Sequence, residues 1–345
     1  MNFRAILLLL TCAAIAACSE SGPEVSASDQ RLRFDVSGKL EDPRIVEASG
    51  LARSIRRPGA LYVMNDGDEE ILYVIDQGGS SLGTIEISKA KNRDWEDLAA
   101  FELDGEPYLL VADIGDNDAD RSKRTLYVLR EPEPGDDKIK VDWEIDYEYP
   151  DGPRDVESAA VDIENERVLL LSKRDIPPVL YDLPLRPSDD GKVTARWLGT
   201  VTSLEHPTRQ DVAFARKTKD WHWQPTGMDI SADNRAAVIL TYRYLYYFLR
   251  RPDQDWYEAL NSTPIRVSLG NFRNAEAVAF GDDTRTVIVT GEDRHARVLR
   301  IDLTHTGDGE SAARRDTGQS LPTLADARTG SSPHSASSGR LDHGR

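Results

Sequence analysis

This chain of 345 residues has only two cysteines, and both, Cys12 and Cys18, fall within its first 18 residues. Everything after them lacks a thiol, which excludes disulfide staples and cysteine-ligated zinc. Basic residues are outnumbered, 43 Lys and Arg against 60 Asp and Glu, giving a formal charge of −17 at pH 7. Such a surface repels phosphate backbones and anionic lipid, so nucleic acid is excluded as a partner. The chain contains no P-loop and no H-E-x-x-H pair, which removes the common nucleotide-binding and zinc-protease signatures. Histidine is scarce: of six, His305, His334 and His343 lie in or beside the C-terminal tail. His222, between Trp221 and Trp223, reads as an ordinary surface or packing residue.

The ends of the chain are simple. Residues 1–17 carry one positive charge (Arg4), an apolar run over residues 5–10 and small residues before Cys18, the pattern of a secretory signal peptide. The run is too short to span a bilayer. Ile15-Ala16-Ala17-Cys18 resembles the bacterial lipobox, which implies that Cys18 is acylated and holds the mature protein to a membrane. Ser19, where an Asp would favour inner-membrane retention, implies the outer membrane of a Gram-negative bacterium, facing the periplasm or the cell surface. Residues 18–30 are polar and Ser-rich, a flexible tether. Residues 305–345 are rich in Ser, Gly, Thr, Arg and Asp; they cannot bury enough apolar surface to offset their ordering entropy and read as disordered.

Between the ends, one short pattern recurs. Arg93-Asp94-Trp95-Glu96-Asp97-Leu98-Ala99, Arg154-Asp155-Val156-Glu157-Ser158-Ala159-Ala160 and Arg273-Asn274-Ala275-Glu276-Ala277-Val278-Ala279 share Arg, Asp or Asn, any residue, Glu, any residue, an aliphatic residue and Ala. Looser copies run from Glu47 to Ala52 and from Gln224 to Asp229, with Ser49 and Thr226 at the Glu position. The intervals are roughly 50 to 70 residues, and short β-branched or aromatic runs fill them, separated by turn residues. Four strands per interval, beginning with the motif, make a propeller blade. The last interval is one strand short, and the alternating segment over residues 31–37 is the only unassigned strand pattern. Residues 31–304 therefore read as an all-β, five-bladed β-propeller closed by its N-terminal strand; a six-bladed ring, with a degenerate blade over residues 205–223, is the alternative.

Inner strands of a propeller line the central channel, and the loops entering them share a face with the turns between second and third strands. That face gathers Glu96, Glu157 and Glu276 with Asp66, Asp113, Asp116, Lys173, Arg174, Arg243 and Glu292. Three glutamates at one mouth repel by several kcal/mol, roughly, at intermediate dielectric unless compensated. The arginine built into each motif offers a ring of Arg–carboxylate pairs, and this structural reading is the favoured one. The alternative is a hard cation, for which calcium suits an oxygen-only ligand set built on Glu96, Glu157 and Glu276. The run Asp113-Ile114-Gly115-Asp116-Asn117-Asp118 lacks EF-hand spacing and reads as a turn.

The Arg-Asp-x-Glu segments at 93–99 and 154–160, the Glu47–Ala52 start and the Asp-rich turns resemble the bacterial secreted propellers of the SdiA-regulated and esterase-like (phytase-like) kind, over about residues 44–303. That resemblance implies calcium and phosphomonoester cleavage, with Glu96, Glu157 and Glu276 as ligands and Lys173, Arg174 and Arg243 receiving phosphate. Two functions are carried forward. The favoured one is a non-enzymatic lipoprotein that binds a small-molecule or protein ligand on its channel face. The other is a calcium-dependent hydrolase of a phosphoester or lactone.

The lipobox-like run predicts that Cys18→Ser releases the protein from the membrane fraction and removes its acyl label. A variant that stays membrane-bound without acylation refutes the anchor.

Overall fold

The computed structural model describes residues 34–303, apart from 68, 188–192, 210–211, 213–221 and 273. The signal peptide, Cys18, the tether, the tail, Asp68, Arg273 and most of the 205–223 segment lie outside the described residues.

The fold is all-β and propeller-like, assembled from four-stranded antiparallel units. The first strand, β1 (Phe34–Lys39), belongs to the last unit in sequence. Next come β2 (Ala48–Arg53), β3 (Ala60–Asn65), β4 (Ile71–Asp76) and β5 (Ser81–Ser88). A second unit has β6 (Trp95–Leu103), β7 (Glu106–Asp113), β8 (Arg124–Arg130) and β9 (Lys138–Glu148). The third contains β10 (Val156–Asp162), β11 (Arg167–Ser172) and β12 (Val179–Pro184); a two-residue β13 (Val193–Thr194) precedes its outer strand β14 (Arg196–Thr200). In the fourth, β15 (Pro225–Ile230), β16 (Ala236–Thr241) and β17 (Tyr244–Leu249) are followed by a short helix α1 (Trp256–Leu260) and then β18 (Ile265–Ser268). The last unit is β19 (Ala275–Phe280), β20 (Thr286–Gly291) and β21 (Arg297–Asp302), with β1 antiparallel to β21. The helix was not expected from the sequence: five residues are too few for a helical period to show, and the visible signal is the Asp255 cap, whose carboxylate accepts from the Glu258 amide at 2.8 Å.

Apolar residues on neighbouring units meet in a shared layer. Leu110 and Val128 pack with Val161 and Leu170, Leu171 and Leu180 with Met228 and Ile239, Leu240 and Val267 with Val278 and Leu299. Tyr62 and Leu72 meet Leu109 and Leu129, and Leu51 and Val63 meet Ile288 and Val298. Alternation along each strand sends successive side chains to opposite faces, so a middle strand such as β3 or β11 feeds two layers and is apolar on both sides. One outer seam is also sewn by backbone. β5 runs parallel to β9, with Ile87 opposite Ile139, and β13 runs parallel to the other end of β9.

The inner strands β2, β6, β10, β15 and β19 pack in succession, and β19 packs on β2. Their residues are small for a reason. A Cβ on Gly50 would lie 2.6 Å from Met64 Cε and 2.9 Å from Leu98 Cβ, so a side chain there has no room. Every inner strand also carries a register irregularity against its neighbour, between Ala48 and Gly50, Trp95 and Asp97, Val156 and Ser158, Pro225 and Gly227, and Ala275 and Ala277. The skipped residues are Ser49, Glu96, Glu157, Thr226 and Glu276, the recurring motif position. A bulge re-aims its residue out of the ladder, and here it does so at one place in each inner strand.

Below the bulges, inner-strand amides facing away from their sheet need acceptors. The buried Asp97 carboxylate supplies one: it accepts from Leu98 at 2.9 Å, Ala159 at 2.8 Å and Met228 at 3.0 Å. These amides occupy the same motif position in three different strands. Asp229 repeats the device lower down, accepting from Ile230 and Phe280, each at 2.8 Å.

Asp97→Ala leaves three buried amides without an acceptor, at about 1–3 kcal/mol each. The expected loss in urea unfolding is about 3 kcal/mol or more, with Asp97→Asn losing less because one acceptor oxygen remains. Equal losses in the two variants would refute this role.

Candidate functional site

The bulge residues divide by chemistry. Ser49 Oγ donates to the Trp95 carbonyl and Thr226 Oγ1 to the Ala275 carbonyl, each at 2.7 Å. Both hydroxyls thus clasp the next inner strand just before its own bulge. The glutamates instead turn toward the mouth and are buried, with 5 % (Glu96), 4 % (Glu157) and 7 % (Glu276) of their surface exposed.

Among the described residues, compensation does not come from the motif arginines, contrary to the expectation from sequence. Arg154 pairs with Asp151 at 2.7 Å and Asp175 at 2.9 Å, and lies over the rings of Tyr149 and Tyr181. Arg93 is exposed, and Arg273 lies outside the described residues. The cation at the mouth is Lys173, buried on the turn after β11 and ion-paired to Glu157, with its ammonium 5.4 Å from the centre of the Tyr242 ring. The guanidinium of Arg154, three residues before its bulge, is taken up by Asp151 and Asp175, whereas the β11–β12 turn brings Lys173 to the bulge residue Glu157 of its own sheet.

Glu276 hydrogen-bonds the carboxyl of Glu292 rather than a cation. Glu96 receives no hydrogen bond from any described residue, and its carboxylate converges with those of Asp66 and Asp94, ligand oxygens all lying within 4.8 Å of one another. Two fixed turns bring these groups together: Asp66 follows β3, and Asp94 enters β6. Above them crosses the β7–β8 connection, whose Gly115 donates its amide to the Asp94 carbonyl at 3.2 Å and leaves no room for a Cβ beside the Asp94 and Glu96 carboxylates.

Other residues expected at the rim serve as bracing. Asp113 accepts from Arg121 at 2.9 Å and from the Asp94 amide at 3.2 Å. Asp116 pairs with the buried Arg124 and accepts from the Asp120 amide at 2.9 Å. Arg174 donates to Asp155 at 2.5 Å and also reaches Asn117. Arg243 is exposed and lies over Tyr244, 5.3 Å from the ring centre. Among the described residues, the acidic trio is therefore Asp66, Asp94 and Glu96, while Glu157 is committed to Lys173 and Glu276 to Glu292. Asp94 and Tyr242 were not singled out from sequence. Asp94 had a signal, since it occupies the Asp-or-Asn position of its motif copy; Tyr242 had none, being one of several tyrosines in a hairpin.

The electrostatics follow from the crowding. Burial, with Asp94 next, pushes the Asp66 carboxyl up to about 8. Burial raises Asp94 as well. Glu96 stands well above the carboxylate range through burial and the fields of Glu157, Asp66 and Asp94. Burial lifts Glu157 to about 7 against the pull of Lys173. Glu276 is raised by burial, then by Glu157 and Glu292. For Lys173, burial acts to lower the pKa, but Glu157, Tyr242, Glu276 and Glu96 hold it above the usual ammonium value. Burial is the leading cause at each of these carboxyls, and Lys173 and Arg121, the latter 3.9 Å from Asp94, offset it only in part.

No protein-family model matches the chain, and no curated protein sequence matches it.

A folded state that retains protons the unfolded chain has released is destabilised as pH rises. The window runs from the ordinary carboxylate values, near 3.8 and 4.5, up through about 7 and 8. Each retained proton contributes a slope of about 1.4 kcal/mol per pH unit. Metal-free protein should therefore melt at a lower temperature at pH 8 than at pH 5, and Glu96→Gln should reduce the difference. A melting temperature that rises over this range, with the drop absent in wild type, would contradict the assignment.

Proposed function

We propose that this protein is a five-bladed β-propeller, closed by β1 and tethered to the outer membrane through a lipid on Cys18, that binds its ligand or protein partner at the channel mouth by way of a divalent cation. The succession of inner-strand contacts, the pairing of β1 with β21 and the bulge in each inner strand support the blade count and closure. Among the described residues no helix is long and apolar enough to cross a membrane, so the anchor rests on the lipobox-like run.

One observation carries the cation. Glu96 is buried, has no hydrogen bond from any described residue, and faces Asp66 and Asp94, while Lys173 is already paired with Glu157 and Arg121 meets the trio only at Asp94, 3.9 Å away. A buried carboxylate without a partner is expensive to keep, and three carboxylates without nitrogen or sulfur donors suit a hard ion, calcium first. This fits the resemblance to secreted calcium-binding propellers while moving two of the three ligands from the other glutamates to Asp66 and Asp94.

The hydrolase reading has one observation in its favour: Glu157, held near neutrality beside the trio, has the pKa of a general base for a metal-bound water. The anion-receiving half of that reading is weaker. Lys173 is paired with Glu157, Arg174 with Asp155, and Arg243 stands outside over Tyr244. Binding is therefore the preferred function.

Saturating calcium should stabilise the wild type by roughly 3 kcal/mol at a hundredfold excess over Kd, seen as a rise in melting temperature. Glu96→Gln should abolish that increment. Turnover of phosphomonoesters or lactones should stay at background with and without calcium. An unchanged melting temperature sinks the cation, and calcium-dependent turnover lost in Glu157→Gln promotes the hydrolase.

A further inference from the structure

The connection between β7 and β8 is fastened on all sides. The carbonyl of Asp94 accepts the amides of Ile114 and Gly115, each at 3.2 Å. Asp116 accepts the amides of Asp120 at 2.9 Å and Arg121 at 3.1 Å, and pairs with Arg124. Arg124 also donates to the carbonyl of Arg154 at 3.1 Å, tying the connection to the next unit. Arg121 reaches back to the Gly115 carbonyl and to Asp113. The backbone at position 115 therefore cannot retreat from what lies beneath it.

Glycine is not required at 115 by backbone conformation, because its φ is not among the positive values of this chain. Its smallness serves the carboxylates. A Cβ built there would stand 2.6 Å from Asp94 Oδ2 and closer still to Glu96 Oε1. Both are oxygens of the trio, and both belong to the side chains that the proposed cation needs. The space that a methyl group would fill is the space in which Glu96 lies turned toward Asp66 and Asp94.

We infer that Gly115 is the specificity-determining residue of the cation site: its α-carbon closes one flank of the trio, and its missing side chain lets Glu96 reach the ion. This rests on the cation reading above. The colliding atoms, on Glu96 and on Asp94, belong to side-chain carboxylates and not to backbone, so a methyl group at 115 displaces those carboxylates without displacing the strap. Gly115→Ala consequently acts on the site and not on the fold, although no charge is removed and no ligand is deleted.

The test is calorimetric titration of calcium chloride into the wild type, Gly115→Ala and Glu96→Gln, with melting temperatures in the absence of metal. The expected result is calcium binding by the wild type, an affinity about 10–100-fold weaker in Gly115→Ala, and a calcium-free melting temperature within about 2 °C of wild type. A wild type that does not bind calcium removes the cation reading and this inference together. Wild-type binding with Gly115→Ala within about threefold of it overturns the inference alone. A Gly115→Ala protein that is unfolded, or melts far below wild type without calcium, also overturns it, because the glycine would then be holding the strap.

Discussion

Backbone amides that point away from their own sheet set the terms for the middle of this molecule. An inner strand has a ladder partner on one side only, and water cannot reach the other side where the strands crowd together. Asp97 answers for three strands at once, and Asp229 for the level below. Small residues such as Gly50 and Ser158 let the strands come close enough for one carboxylate to span them. The channel is in this way filled by hydrogen-bonded carboxylates at its waist, which leaves the mouth as the place where side chains are free to do chemistry.

At the mouth the balance is different. The waist carboxylates are satisfied by amides, but the mouth carboxylates have one ammonium among them, and Lys173 spends it on Glu157. Glu276 and Glu292 respond by sharing a hydrogen bond; within the trio Asp94 shares one with Asp66 and has the Arg121 guanidinium 3.9 Å away, and Glu96 is left with burial and mutual repulsion. Proton retention is one way to relieve that repulsion, and a bound cation is another. The two would compete, so the affinity of the proposed cation and pH would be linked through the same oxygens.

Much of the architecture was legible. Short β-branched runs with turn residues between them gave the strands, and the alternating segment before the first motif is the strand that pairs with β21. The recurring motif marked the inner strands because the bulge demands the same local backbone in every copy. Pairing partners were not legible in the same way. Lys173 lies sixteen residues beyond Glu157, and nothing in the motif favours it over Arg154, which is three residues away. The choice depends on a turn sitting above a bulge, a fact of three dimensions. Asp97 was hidden for a related reason: it fills a variable position of the motif, and its importance arises only when amides from other strands converge on it. Helix α1 escaped because five residues, Trp256–Leu260, are too short to show a period.

The bulge position also separates two tasks that most folds entangle. With Ser49 or Thr226 in the slot, the side chain bonds sideways and seals a seam between neighbours. A glutamate in the same slot leaves the seam to packing and donates a charge to the opening. The backbone is alike in both cases, so exchanging a hydroxyl for a carboxylate retunes the opening without re-registering a strand. Inner strands built this way resemble a socket with interchangeable pins: the slot stays the same while the side chain in it changes.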